Sequence, residues 1–92
     1  MIRSFSCAET KALYEGRRVQ KWVNIQAVAM RKLAMLAAAG MLNDLLIPPG
    51  NRLEALKGDR KGQHSIRIND QWRVCFMWST SGPVDVEIVD YH

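Results

Sequence analysis

The chain of 92 residues is poor in the groups that most enzyme chemistries require. Its two cysteines, Cys7 and Cys75, have no partners at metal-ligand spacing and make no disulfide framework. They read as two reduced, partly buried thiols of a cytoplasmic protein. No Gly-rich phosphate cradle, no His/Cys/Asp metal cluster and no nucleophile elbow occurs, so nucleotide-cradling, metal-assisted and serine-hydrolase chemistries lose their usual supports. The longest apolar run, Leu33 to Leu42, is too short to span a bilayer. Arg3 and Glu9 interrupt any signal-peptide pattern. No membrane partner, cofactor or resident metal is therefore expected. Internal repeats and low-complexity segments are absent as well.

What the chain has is an ordinary globular composition, hydrophobic at 48% and charged at 24%, which excludes disorder. At this length one domain, residues 1–92, is expected, burying roughly 60–65% of its unfolded surface. The net charge of +4 is unevenly spread: residues 1–51 carry +4, residues 52–73 carry +3, and residues 74–92 carry −3. A basic middle followed by an acidic end is compatible with a phosphate-bearing partner but does not establish one.

Periodicity divides the chain into a helical first half and a β-rich second half. Met1 to Cys7 alternates like a short strand with Ile2 and Phe5 inward, and Ala8 to Glu15 reads as a helix stopped by Gly16. Asn24 is the expected N-cap of a longer helix running to about Ala39, with Ile25, Val28, Ala29, Lys32, Leu33 and Leu36 along one stripe. Arg31 and Lys32 would make its exposed side basic. Leu42 to Leu46 could add a helical turn before Pro48-Pro49-Gly50-Asn51 breaks the chain.

Beyond that break lie a short segment around Leu53 and Leu56 and three alternating runs: Gln63–Asn69, Gln71–Trp78, and Val84 onwards. Ile66, Ile68, Trp72, Val74, Phe76, Trp78, Val84, Val86 and Ile88 form the apolar set; Ser65, Arg67, Arg73 and Cys75 fall on the opposite side. The expected fold is α+β, a small mostly antiparallel sheet with two or three N-terminal helices on one face.

The last strand-like run leads into Asp90-Tyr91-His92, a carboxylate, a phenol and an imidazole in succession. A packing Tyr in a solvated tail is an equally available reading. Regular alternation would also place Tyr91 opposite Asp90 and His92, so convergence needs a bulge or a curl. Upstream, Leu56-Lys57-Gly58-Asp59-Arg60-Lys61-Gly62 is a basic loop in which Arg60 and Lys61 fit a merely solvated surface. Arg67 and Arg73 occupy adjacent strands and would repel unless an anion, or a carboxylate such as Glu87 or Asp85, lay between them. His64 reads as a surface residue. A base, an acid and cations without a metal fit RNA cleavage by its own 2′-hydroxyl, where cations steady the pentavalent phosphate.

Together, Leu56-Lys57-Gly58-Asp59-Arg60, Ser65-Ile66-Arg67-Ile68-Asn69, Gln71-Trp72-Arg73-Val74 and Asp90-Tyr91-His92 resemble the HigB toxins of the RelE-like, plasmid-maintenance killer superfamily. The likeness includes Met1-Ile2-Arg3-Ser4-Phe5 and covers essentially the whole chain. It implies the RelE-like microbial RNase fold and a ribosome-dependent endoribonuclease that cuts translated mRNA in the ribosomal A site without metal. It also implies a HigA-like helix-turn-helix antitoxin, through which alone operator DNA would be met.

By position, Lys57 and Arg73 would stabilise the phosphate and His92 would serve as acid or base. Asp90 and Tyr91 would shape the site, with Arg60, Lys61 and Arg67 binding RNA. Glu54 stands where some members carry a His three residues before the Lys, and is either a base or an ion-pair partner of Lys57. Two rival readings remain beside it: a non-catalytic nucleic-acid or ribosome-binding module, and a degenerate toxin acting only as an antitoxin-binding corepressor.

Overall fold

Alternation from Trp72 onwards produces the central strand of the sheet. In the computed structural model, which describes residues 1–91, strand β3 (Trp72–Ser79) lies between β2 (His64–Arg67) and β4 (Gly82–Asp90). The two-residue β1 (Glu54–Ala55) flanks β2. All neighbours are antiparallel in the order β1-β2-β3-β4, a simple meander. His92 lies outside the described residues.

Helices α1 (Ala8–Tyr14) and α2 (Gln26–Ala38) cover one sheet face. Leu13, Ala29, Leu33 and Leu36 from the helices meet Ile66, Val74, Phe76, Val86 and Ile88 from the strands, all buried. Full burial of one such large side chain contributes about 1.5–3 kcal/mol. This face therefore carries most of the stability, and the fold is α+β as the periodicity implied.

Several local expectations are corrected. Asn24 is not the cap of α2: Gln20–Ile25 forms a 3-10 turn and the N-cap position falls to Ile25, with no side-chain bond. That turn places Trp22 in the core, edge-on to Trp72 with ring centroids 6.0 Å apart, and this burial outweighs the capping preference of Asn24. Lys32 does not join an exposed basic side but is buried, its ammonium on Asn51.

Met1 to Cys7 forms no full strand. It runs beside β4 with one parallel bridge, Phe5 to Val86, and backbone bonds from Arg3 to Pro83 and from Ser6 to Val86. Ile88 N–H, further along the same edge, donates to the buried Thr10 hydroxyl of α1 at 3.0 Å. The outer edge of β4 is thus covered rather than left as a template for another strand. Gly82 sits at φ +122°, and a Cβ there would meet the carbonyl oxygen of Met1 at 2.6 Å, so only glycine lets the first residues lie this close.

A bulge in β4 interrupts the apolar alternation. Cys75 pairs with Glu87 but Met77 pairs with Val84, so β4 has one extra residue against β3. Asp85 lies within it in the left-handed region at φ 53°, its N–H held by the Ser4 hydroxyl at 2.9 Å. Val84, expected beside Val86 and Ile88, is therefore turned to the opposite face, across from Met77.

Candidate active site

The second sheet face is a polar, partly buried surface rather than an open one. Register aligns Glu54, Ser65, Cys75 and Glu87 across all four strands, and sets Arg67, Arg73 and Val89 side by side in the next row. Arg73 and Cys75, on the side opposite the apolar set as alternation implied, are nonetheless only 6% and 1% exposed. The reason is tertiary: the 56–63 loop, joined to β1 at the sheet edge, folds back over this face. Arg60 fastens the loop by donating to Glu87 at 2.7 Å and to Gln63 at 3.1 Å.

Arg73 is the centre of the arrangement. Its Nε donates to Ser65 Oγ at 2.8 Å and its Nη2 to the carbonyl of Arg52 at 2.6 Å. The Glu54 carboxylate lies 3.7 Å from the same Nη2. Tyr91 lays its ring over the guanidinium at 4.8 Å and donates its hydroxyl to Glu54. A buried cation is tolerated only when its charge and donors are satisfied, and here Ser65, the Arg52 carbonyl, Glu54 and the aromatic face share that task. The hydrogen bond to Glu54, with some help from burial, raises the Tyr91 phenol above the ordinary tyrosine value. Tyr91 is therefore a proton donor across the neutral range.

Beside this cluster opens a pocket of about 280 Å³ lined by Leu56, Lys57, Arg60, Cys75, Val89, Asp90 and Tyr91. That is just below the ~300–1,000 Å³ usual for ligand pockets. Lys57 is exposed and, among the described residues, its ammonium has no ion-pair partner. Burial pushes the Cys75 thiol up, so the pocket floor carries a neutral thiol and not a nucleophile.

The residues singled out from sequence are thus only partly assembled. Glu54, Arg73 and Tyr91 form one hydrogen-bonded cluster, and Lys57, Arg60, Asp90 and Tyr91 share the pocket. Asp90 pairs across the sheet with Trp72 and accepts from Gln71 Nε2 at 3.1 Å. Tyr91 lies on the other face, as alternation demands. Arg67 opposes Arg73 in register, yet its guanidinium turns to Asp70 in the hairpin.

The repulsion expected between these two arginines is therefore relieved by Glu54 and Asp70. Glu87 is engaged with Arg60 instead, and Asp85 sits in the bulge. Lys61 is exposed and does not line the pocket. His64 is not a free surface imidazole: it is half-buried and stacks on Phe76 on the helix-covered face.

Sequence reasoning missed Ser65 as an anchor of Arg73, although its position opposite the apolar face was visible. The Arg52 carbonyl and the Lys32–Asn51 contact behind it gave no sequence signal. Among the described residues no group of three or more His, Cys, Asp or Glu side chains could hold a metal ion.

A family profile described as the RelE-like toxin of the type II toxin–antitoxin system HigB matches residues 5–92. A protein named Toxin HigB-1 from Vibrio cholerae is 51% identical over 55 residues, covering 60% of this chain and 58% of that protein. An uncharacterised Haemophilus influenzae protein is 38% identical over 58 residues, 63% of this chain and 57% of its own length. The chain thus spans under three-fifths of each of these curated relatives.

Proposed function

This chain belongs to the HigB-like toxins, the RelE-like toxin family of type II toxin–antitoxin systems, and we propose that it is a ribosome-dependent mRNA endoribonuclease working without a metal. The observation that supports this reading is the Glu54–Tyr91–Arg73 cluster at the rim of a pocket that Lys57 lines.

The RNA supplies its own nucleophile. Its 2′-oxygen loses a proton to a base, attacks the adjacent phosphorus, and the bond from phosphorus to the 5′-oxygen breaks. The departing oxygen takes a proton, leaving a 2′,3′-cyclic phosphate and a 5′-hydroxyl end. In this reading Glu54 takes the first proton and His92, as the acid, delivers the second. The Tyr91 hydroxyl orients Glu54, and Asp90 shapes the pocket wall. Lys57 and Arg73 stabilise the charge that grows on the phosphate. Glu54 and the Tyr91 ring both adjoin the Arg73 guanidinium, so the base of this reading lies next to the cation that steadies the phosphate. Arg60, Lys61 and Arg67 extend the cationic surface along the RNA strand.

The ribosomal A site presents the message, a HigA-like helix-turn-helix antitoxin restrains the toxin, and operator DNA is met only through that antitoxin. Among the described residues no helix is long and apolar enough to cross a membrane, and the proposed work at the ribosome places the protein in the cytoplasm. The test is to map message ends after brief induction of wild type and His92→Gln. Cyclic-phosphate ends that vanish in a folded His92→Gln support the reading. Full cleavage and growth arrest by that variant would refute the role of His92. Deleting Tyr91 and His92 separates the rivals: a binding module keeps its effect, and a nuclease loses it. Antitoxin binding and repression without any message cleavage by wild type would identify a corepressor.

A further inference from the structure

One buried cation has no part in the chemistry above. Lys32 on α2 is 8% exposed and its Nζ donates to Asn51 Oδ1 at 2.6 Å. Asn51 is fully buried and in turn donates Nδ2 to the Leu45 carbonyl at 3.2 Å. Burial, reinforced by Arg31 and Arg67, pulls the Lys32 ammonium below the ordinary lysine value. A charge kept inside a small domain in this way costs stability, and an apolar residue would fill the site without that cost.

What the contact fixes lies one residue further on. Arg52 adopts the left-handed region at φ 46° and ψ 53°, a conformation non-glycine residues hold only where their surroundings impose it. Backbone bonds from Asn51 to Pro48 and from Arg52 to Pro49 close the turn at 3.0 and 3.1 Å. The Arg52 carbonyl, aimed by this turn, accepts from Arg73 Nη2 at 2.6 Å. A continuous chain of short contacts thus runs from α2 on one sheet face to the guanidinium on the other.

We propose that Lys32 and Asn51 are positioning residues that set the Arg73 guanidinium by holding the Arg52 carbonyl in place. This rests on the reading of Arg73 as the cation that stabilises the cleaved phosphate. Neither residue touches RNA; both act through the backbone of Arg52.

The decisive variant is the double substitution Lys32→Met with Asn51→Leu, which replaces both members of the Lys32–Asn51 pair by apolar groups of similar size and leaves only the Leu45 carbonyl without its Asn51 donor. Its first readout is the set of Arg73 side-chain N–H resonances, assigned by their loss in Arg73→Lys. These should shift and exchange faster with water in the folded double variant. The second readout is message cleavage on programmed ribosomes, where kcat should fall by about 10- to 100-fold with KM nearly unchanged. Lys32→Gln keeps a donor facing the Asn51 oxygen and leaves the Asn51–Leu45 bond in place; it should retain both the resonances and most of the rate, and it decides the matter if the double variant fails to fold.

Unchanged Arg73 resonances in a folded double variant would overturn the proposal, as would their loss in a folded Lys32→Gln. If wild type cuts no message while the resonances respond as expected, the nuclease reading falls and the positioning role stands.

Discussion

Both faces of the sheet bury residues at their centre, by opposite means. On the helix-covered face Ile66, Val74, Phe76, Val86 and Ile88 exclude water with apolar surface alone. On the other face Ser65, Arg73 and Cys75 are equally hidden, but each polar group must find a partner there: Ser65 and the Arg52 carbonyl take up Arg73, and Glu87 takes up Arg60. The first face tolerates changes that keep volume and apolarity. The second depends on direction, since a hydrogen bond misplaced by an ångström leaves a buried charge uncompensated. One face supplies stability and the other spends part of it to hold reactive groups in order.

The sharpest way to break this contrast is Phe76→Ala, on the apolar face. It should cost about 3–5 kcal/mol of unfolding free energy, read by denaturant titration, while the remaining folded protein keeps its cleavage rate. A loss below about 1 kcal/mol would mean that the apolar face does not carry the fold. Next is Arg73→Ala, which should lower message cleavage by ~10²–10³-fold with a stability loss of about 1–3 kcal/mol from the stranded Ser65 and Arg52 groups. Wild-type cleavage in that variant would remove Arg73 from the chemistry.

Tyr91→Phe keeps the ring over Arg73 but removes the hydroxyl held by Glu54, and should slow cleavage by about tenfold. The same variant tests the titration. Because the folded phenol is raised above its unfolded value, the contribution of its protonated form is complete below the ordinary tyrosine value and is lost only as pH rises through the higher folded one. Phenolate absorbance, wild type minus Tyr91→Phe, should therefore appear above the ordinary tyrosine range, and ionisation at or below it would contradict the Glu54 contact. The smallest effect is expected from Glu87→Gln. The Arg60–Glu87 pair is partly exposed, with 38% and 26% of each side chain accessible, so solvent screening limits its loss to about 0.2–1 kcal/mol by thermal unfolding.

The legible part of the fold is the part with strong periodicity. Trp72, Val74, Phe76 and Trp78 alternate cleanly, and β3 forms where that pattern lies. Leu33 and Leu36 sit on one helical stripe and both are buried. Val84 defeated the pattern because a single extra residue at Asp85 reverses every side chain before it, and a bulge has no apolar signature. Asn24 looked like a cap because local propensity was read without the pull of Trp22 towards Trp72. In the site, Tyr91 could be placed opposite Asp90 by alternation alone, whereas its contact with Glu54 spans 37 positions along the chain and depends on β1 closing against β2.

Residue types and their order were enough to determine an α+β chain, an apolar sheet face, a set of cations between Arg52 and Arg73, and the family likeness those residues carry. Local spacing encodes period and charge, and both survive without knowledge of the fold. Which carboxylate meets which arginine was decided only in three dimensions. Glu87 and Asp85 were the carboxylates expected between the arginines and Glu54 a partner for Lys57, whereas the register of β1 on β2 and the fold-back of the 56–63 loop give Glu54 to Arg73, Asp70 to Arg67 and Glu87 to Arg60. Distances of a few ångströms govern such pairings, and they follow from how distant segments pack.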